Sequence, residues 1–450
     1  MSCISRRLER FSLSRSALAV LVLLVIGATA CQQQSVGQVE PDAATVLTGL
    51  RIIDGTGGAP VEQGTIVIQD GRIVAAGVLS DDQIPASATT VDLAGKTVMP
   101  GIIDAHGHVR AVDDQIPMRE DLLKRLRVLA DYGVTTVVSL GQLTNDETPE
   151  VATLRDEQES IADLDRARIY TSGPSIQGQK SPEEARASVA QRVSMNADRI
   201  KFHMGDGSPR EMSADTYGAI IDEAHKRGLR TYSHIFSVQE ANEVLDAGID
   251  VIAHSIRDQD VGQALIDKMK ARNVPYIPTL TRDLAVFIYE DTPAFLEDPF
   301  FLRGVSLYSE EIPTLTSPEY QQGIRESEDA QAIKPALEQA NRNLKILSDA
   351  GITIAMGTDV GGGDGRWQGY FEHVELAMMV EAGMTPMQVL VAATGAAADV
   401  SELDHLGRIQ PGKVADLLVL DANPLDDILN TREIHSVWIA GRRIGAEGTN

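Results

Sequence analysis

Residues 100–109, PGIIDAHGHV, decide how this chain is read: an apolar run that ends in two histidines one residue apart, His106 and His108. A strand rises ~3.3 Å per residue and alternates faces, so both imidazoles leave the same face near the strand's C-terminal end. That spacing suits a metal ion. Two unrelated histidines at a strand end would look the same, so partners elsewhere must decide.

Working outward, strand-like runs recur at 135–140 (TTVVSL), 167–173 (ARIYTSG), 198–203 (DRIKFH), 229–234 (LRTYSH), 250–255 (DVIAHS), 274–280 (VPYIPTL) and 352–359 (ITIAMGTD). Helical patterns such as MREDLLKRLRVLADYG, SADTYGAIIDEAHKRG and SVQEANEVLDAG separate them. Eight β/α units predict an α/β fold, a (β/α)₈ TIM barrel over 98–405, with a doubly wound open sheet as the competing topology. Residues 44–97 and 406–450 are rich in short β runs and DG turns, which predicts a small β-sandwich domain formed from both chain ends. The rhythm breaks at 283–332, a long insertion carrying Phe287, Phe295, Phe300 and Phe301. It reads as a lid over the barrel mouth or as a peripheral or oligomer-contact subdomain.

The 40 basic against 65 acidic residues, net charge −25, exclude nucleic acid or an anionic surface as the main partner. Arginines 6, 7, 10 and 15 precede ALAVLVLLVIGATA and then Cys31. This run is shorter than the ~20 residues of a spanning helix, and its small residues fit a cleavage site. Residues 1–30 resemble a bacterial lipoprotein signal. That likeness implies export, lipidation of Cys31, a tether over 31–43 and attachment in the periplasm at the outer membrane, since Gln32 is not Asp. Contact with the membrane would then be through that lipid alone. Ordinary secretion with a free Cys31 is the alternative. Cys3 and Cys31 are the only cysteines, which excludes a thiolate zinc site in a cleaved chain.

Barrel chemistry gathers at strand C-termini. The first strand offers His106 and His108, the fourth Lys201 and His203, the fifth Tyr232 and His234, the sixth His254 and the eighth Asp359, so five of nine histidines lie there. Imidazole and carboxylate suit Zn²⁺. An ammonium beside a dication is repelled, so Lys201 enters either as a salt-bridge partner or as a neutral amine converted to a carbamate, N6-carboxylysine. Tyr232 and His203 lie two residues from, or beside, these groups and could grip substrate or pack. Arg257, Arg282 and Arg366 lie beyond strand ends and could hold a substrate carboxylate.

With DAHGHV, IKFH, YSHIF, IAHSI, GTDVG and LGRIQPGKVADLLVLD in place, the chain resembles the amidohydrolase superfamily over about 44–447. The imidazolonepropionase-related, Xaa-Pro dipeptidase-like branch is the nearest in pattern. The resemblance implies two divalent ions: His106, His108 and Asp359 on the more buried one, His234 and His254 on the other, and carbamylated Lys201 bridging. It further implies a hydroxide nucleophile with Asp359 as general base and then acid. Superfamily deaminases generally place Glu where this chain has Ser237 and lack the lysine, which disfavours deamination. The expected substrate is a small-molecule amide, a dipeptide or N-acyl amino acid. The alternatives are a lactonase or cyclic-amide hydrolase with the same metals, and a non-catalytic small-molecule-binding lipoprotein. Self-association as a homo-oligomer is compatible with all three.

Overall fold

The computed structural model describes residues 44–205 and 211–445. The leader, Cys31 and the tether lie outside the described residues. The first strands are β1 (Thr45–Ile52), β2 (Val61–Gln69), β3 (Arg72–Gly77), β4 (Thr89–Asp92) and β5 (Thr97–Pro100). The Asp70-Gly71 turn between β2 and β3 has φ of 49° and 73°, the double left-handed conformation that closes a two-residue hairpin. β1 runs antiparallel to β2, and its other edge is shared: Thr45–Thr48 pair with β4, Arg51 and Ile52 with β5.

The chain then alternates. It passes through β6 (Ile102–Gly107), α1 (Met118–Asp131), β7 (Val134–Ser139), α2 (Glu147–Gln158), β8 (Arg168–Thr171), α3 (Pro182–Ser194) and β9 (Ile200–His203). It continues as α4 (Ala214–Lys226), β10 (Thr231–His234), α5 (Val238–Ala247), β11 (Val251–Ala253), α6 (Gln263–Arg272) and β12 (Tyr276–Ile277). Seven strands form two parallel sheets, β6-β7-β8 and β12-β11-β10-β9. Their residues are buried, as covered parallel strands require, except for half-buried His203 and His234 at the ends of β9 and β10. A parallel bridge from Ile176 to Phe202 links the two sheets.

The eighth expected strand, 352–359, is a correction: among the described residues it forms only the Ile354–Tyr276 bridge. Its backbone still bonds both ways, Ala355 N–H to Tyr276 O at 3.0 Å, and Ala105 N–H to Met356 O at 2.9 Å. A regular ladder is lost because Met356 N–H goes to Ala392 O, and Ile103 N–H of β6 goes to Ala393 O. The C-terminal end of the helix at Pro386–Ala392, with its cap Ala393, thus takes hydrogen bonds from both segments.

Helices follow: α7 (Leu280–Phe287), α8 (Pro299–Leu302), α9 (Ile312–Leu315), α10 (Pro318–Glu326), α11 (Glu328–Asp349), α12 (Tyr370–Glu381), α13 (Pro386–Ala392) and α14 (Gly395–Val400). The insertion is thus helical, and its Phe301, Tyr308 and Leu315 pack with Tyr132, Trp367, Tyr370 and Phe371. The Tyr132 hydroxyl donates to the carbonyls of Phe300 and Phe301 and accepts from Gly304 N–H, tying the insertion to the end of α1.

Three last strands, β13 (Leu417–Leu420), β14 (Ile434–Ile439) and β15 (Arg442–Arg443), complete the small sheet in the order β15-β14-β13-β5-β1-β2-β3. β13 pairs directly with β5 and joins both chain ends in one ladder, and Arg72 of β3 bridges back to Val414 just before β13. That pairing extends the sheet to Pro100, beyond the boundary expected at 97. No helix of the described residues is long and apolar enough to cross a membrane.

His373 of α12 is buried between Tyr132 O, 2.8 Å from Nε2, and Thr431 Oγ1, 2.9 Å from Nδ1. Burial pushes its pKa down to about 3. Between 6.5 and about 3 the unfolded chain binds a proton that the folded one refuses, so stability falls as pH drops through that window. Urea unfolding at pH 6 and pH 5 should show this group's share, about 1.4 kcal/mol per pH unit, and His373→Gln should lessen the slope by that amount.

Candidate metal centre

Parallel strands deliver their last residues to one end of a sheet, and here the register brings specific pairs together. His234 lies beside His203, and Tyr232 beside Lys201. From β6, His106 meets His254, which follows β11, with ring centroids 4.4 Å apart. His254 lies 4.0 Å from His234, and His234 stacks on His203 at 4.3 Å. Ligand atoms of His106, His254 and Asp359 all lie within 4.8 Å of one another. His108 Nε2 is 2.8 Å and His106 Nε2 3.3 Å from Asp359 Oδ1.

Burial fixes the protonation states. It is the main cause that pushes His106 down to about 3 and lowers His108, with His234 and His254 held well below the usual imidazole range. Burial alone would raise Asp359, but the charges of His108 and Arg366 and two histidine hydrogen bonds outweigh it and hold the carboxyl well below its usual value. Lys201 is buried with Nζ 3.1 Å from His254 Nε2 and 3.3 Å from His106 Nε2. Desolvation brings its pKa down to about 7, Asp359 opposing and Arg282 assisting.

Tautomers follow from the outer hydrogen bonds. Gly141 O accepts from His108 Nδ1 at 2.9 Å, and Thr279 Oγ1 lies 2.9 Å from His254 Nδ1. With Nδ1–H donating to Thr279, His254 keeps an Nε2 lone pair facing inward, whereas His108 Nε2 meets Asp359 Oδ1 at 2.8 Å. Neutral imidazoles with inward lone pairs, an anionic carboxylate and a desolvated amine form a donor set that fits divalent cations. The strand ends are also strained: Asp359, His254 and Thr279 have φ of 62°, 72° and 50°. Positive φ is costly for β-branched threonine, and such strain clusters at functional sites.

Other sequence-predicted residues fall differently. Tyr232 does face inward, but two residues below His234 its hydroxyl donates to Val400 O at 3.0 Å and accepts from Arg199 at 3.4 Å. It belongs to the floor of the core and does not serve as a substrate contact. Arg366 donates to Asp359 Oδ2. Arg257, over the Phe236 ring at 4.5 Å, and Arg282 both pair with the buried Asp283, at 3.3 and 2.6 Å. Their side chains differ in exposure, 2% for Arg257 against 20% for Arg282.

Sequence reasoning missed three groups. Asp104 accepts His106 N–H at 2.9 Å and the Thr358 hydroxyl at 2.6 Å, and burial raises its pKa to about 6. Arg110 donates to Gly141 O at 3.0 Å and lies 3.1 Å from His108 Nδ1. Thr279 lies at the end of the expected seventh strand, which like the second and third had no polar residue singled out; looking there would have found it. The insertion also reaches the site, since Tyr308 donates to Gln368, whose amide donates to His108 O at 2.7 Å.

Residues 97–444 match the amidohydrolase family. The chain belongs to that family. Among curated relatives, an imidazolonepropionase of Deinococcus deserti is 24% identical over 85% of this chain and 92% of its own length, and one from Streptomyces coelicolor 26% identical over 80% and 86%. Among solved structures, a candidate prolidase from Bifidobacterium longum superposes with a TM-score of 0.71 at 28% identity, covering 91% of this chain and 96% of that one. A Xaa-Pro dipeptidase with bound methionine shares the fold, TM-score 0.69 at 22% identity over 89% and 99%. These relatives support a hydrolase acting on carbon–nitrogen bonds, and this amidohydrolase carries the His106, His254 and Asp359 cluster of a metal site.

If Asp359 supplies the anionic donor, Asp359→Asn lowers Zn²⁺ affinity by about 100-fold or more in chelator competition. An unchanged affinity would remove the carboxylate from the centre.

Proposed function

We propose that this amidohydrolase cleaves the amide bond of a dipeptide or N-acyl amino acid at a two-cation centre within a closed (β/α)₈ barrel. His106, His108 and Asp359 would hold one cation and His234 and His254 the other, with Lys201, as N6-carboxylysine, supplying a shared anionic donor. The observation that carries the reading is the desolvated Lys201 amine seated between His106 and His254. Near neutrality part of that amine is unprotonated; its Nζ can form an N–C bond with CO₂, release a proton and become an anionic oxygen donor. Bound cations, most simply Zn²⁺, supply Lewis acidity and bring a water to a pKa of about 7. Asp359, kept anionic by Arg366, accepts the attacking water's proton at Oδ2 and returns it to the leaving nitrogen. His203, stacked on His234, borders the reacting carbonyl and can donate to the developing oxyanion.

The substrate class rests on charge. Two guanidinium groups, Arg257 and Arg282, pair with one carboxylate, Asp283, and Arg282 also faces the charge of Asp359 across the centre. Arg282 exposes an edge and is the carboxylate anchor, whereas Arg257 orients Asp283 from beneath. The imidazolonepropionase relatives favour a cyclic amide as a second reading. A panel of dipeptides, N-acyl amino acids, cyclic amides and lactones, offered to the Zn²⁺-loaded protein, tests both. Turnover confined to rings would move the assignment to the second, and none at all would sink it.

Arg282→Met should raise KM for carboxylate-bearing substrates by about ten- to a hundredfold, the worth of a charge-assisted hydrogen bond, and leave carboxamide-capped analogues unaffected. Equal effects on both would remove the anchor. For the chain's location we propose lipid attachment at Cys31 and a place at the periplasmic face of the outer membrane. Mass spectrometry of the mature N-terminus should find Cys31 acylated, and a retained leader would refute this.

A further inference from the structure

Thr279 stands at the N-cap of α7, and threonine there ordinarily turns its hydroxyl onto the second or third N–H of the helix. This one does not: α7 receives no hydrogen bond from its own cap side chain. The residue sits at φ 50°, and its Oγ1 lies 2.9 Å from His254 Nδ1. The left-handed backbone is unfavourable for a β-branched residue, so the local sequence has given up both a cap and a relaxed conformation to direct one hydroxyl at one imidazole. The orphaned helix N–H groups are met from elsewhere. Glu375 of α12, fully buried, accepts Leu280 N–H at 2.8 Å, Thr281 N–H at 2.7 Å and the Thr281 hydroxyl at 2.7 Å. The Thr281 hydroxyl also lies 3.0 Å from Thr358 O, next to Asp359, so the same turn touches the segment that carries the carboxylate ligand.

We propose that Thr279 and Glu375 form a positioning pair for His254: Glu375 caps α7 from outside, which frees the Thr279 hydroxyl to accept from Nδ1–H and keep the Nε2 lone pair pointed at the cation. This rests on the reading of His254 as a metal ligand. Neither residue touches substrate; both act through the imidazole. Such outer partners are worth about 10–100-fold in metal affinity. A merely structural role predicts the opposite pattern, because alanine tolerates a left-handed backbone better than a β-branched residue does, and removing threonine would leave stability unharmed or improved.

The test is Zn²⁺ affinity by chelator competition, with thermal unfolding of the stripped protein and nitrogen NMR of the histidine rings. Thr279→Ala should bind Zn²⁺ about 10–100-fold more weakly while its stripped form melts at or above the wild-type temperature. Thr279→Ser keeps the hydroxyl and should restore affinity. Thr279→Val, which keeps shape and branching, should lose it and show His254 as a mixture of tautomers. Glu375→Gln, which places an amide donor against backbone N–H groups, should weaken Zn²⁺ binding in the same direction as Thr279→Ala. Wild-type affinity in Thr279→Ala and Thr279→Val overturns the pair and leaves the metal centre standing, whereas failure of the wild-type protein itself to bind Zn²⁺ removes the centre and the pair together.

Discussion

Water is kept away from a group of side chains that would otherwise be solvated and charged, and the chemistry of this protein depends on that exclusion. In solution Lys201 would be fully protonated, and His106 and His254 would take up protons near pH 6.5. Buried at the ends of parallel strands, the imidazoles are neutral and the amine is close to it. Only Asp359 keeps its charge, because Arg366 and the neighbouring imidazoles stabilise it more than burial costs it. One anion among neutral donors is a strongly attractive place for a small dication, and far less so for a monovalent one.

The surroundings supply order at a distance. Asp104 ties the first strand's backbone to Thr358, so His106 and Asp359 are adjusted together. Gln368 carries the insertion's Tyr308 to the carbonyl of His108, which places an aromatic subdomain within reach of a metal ligand. Arg257 and Arg282 converge on Asp283 just beyond the turn that presents Thr279. Thr279, which meets His254, and Asp283, which holds Arg282, therefore lie on one short stretch of chain.

Much of this was legible in the sequence because strand periodicity is rigid. HxH can only place two imidazoles on one face, and the recurring pattern of apolar run then polar residue identified Lys201, His203, His234 and His254 without any structure. Height along a strand was harder to read than face. Tyr232 shares a face with His234 yet ends on the core's floor, since a rise of ~6.6 Å over two residues separates rim from base. The eighth strand was misjudged for a different reason: 352–359 has strand composition, but the C-terminal end of α13 takes hydrogen bonds a ladder would need. Two β-rich ends announced a shared small domain, but composition says nothing of which strands pair, and the joining of β13 to β5 needed the structure. Thr279 escaped notice since a threonine after a strand reads as an ordinary cap.

That β13–β5 pairing governs the order in which the molecule can be completed. β1 holds β5 by only two residue pairs, and the rest of β5's hydrogen-bonding capacity waits for a strand from the far end of the chain. A polypeptide emerging from the ribosome cannot close this sheet until synthesis is nearly finished, and until then β5 presents an open edge immediately before the strand bearing His106. Closure of the small sheet is therefore among the last contacts the chain can make, since it joins residues 97–100 to residues 417–420.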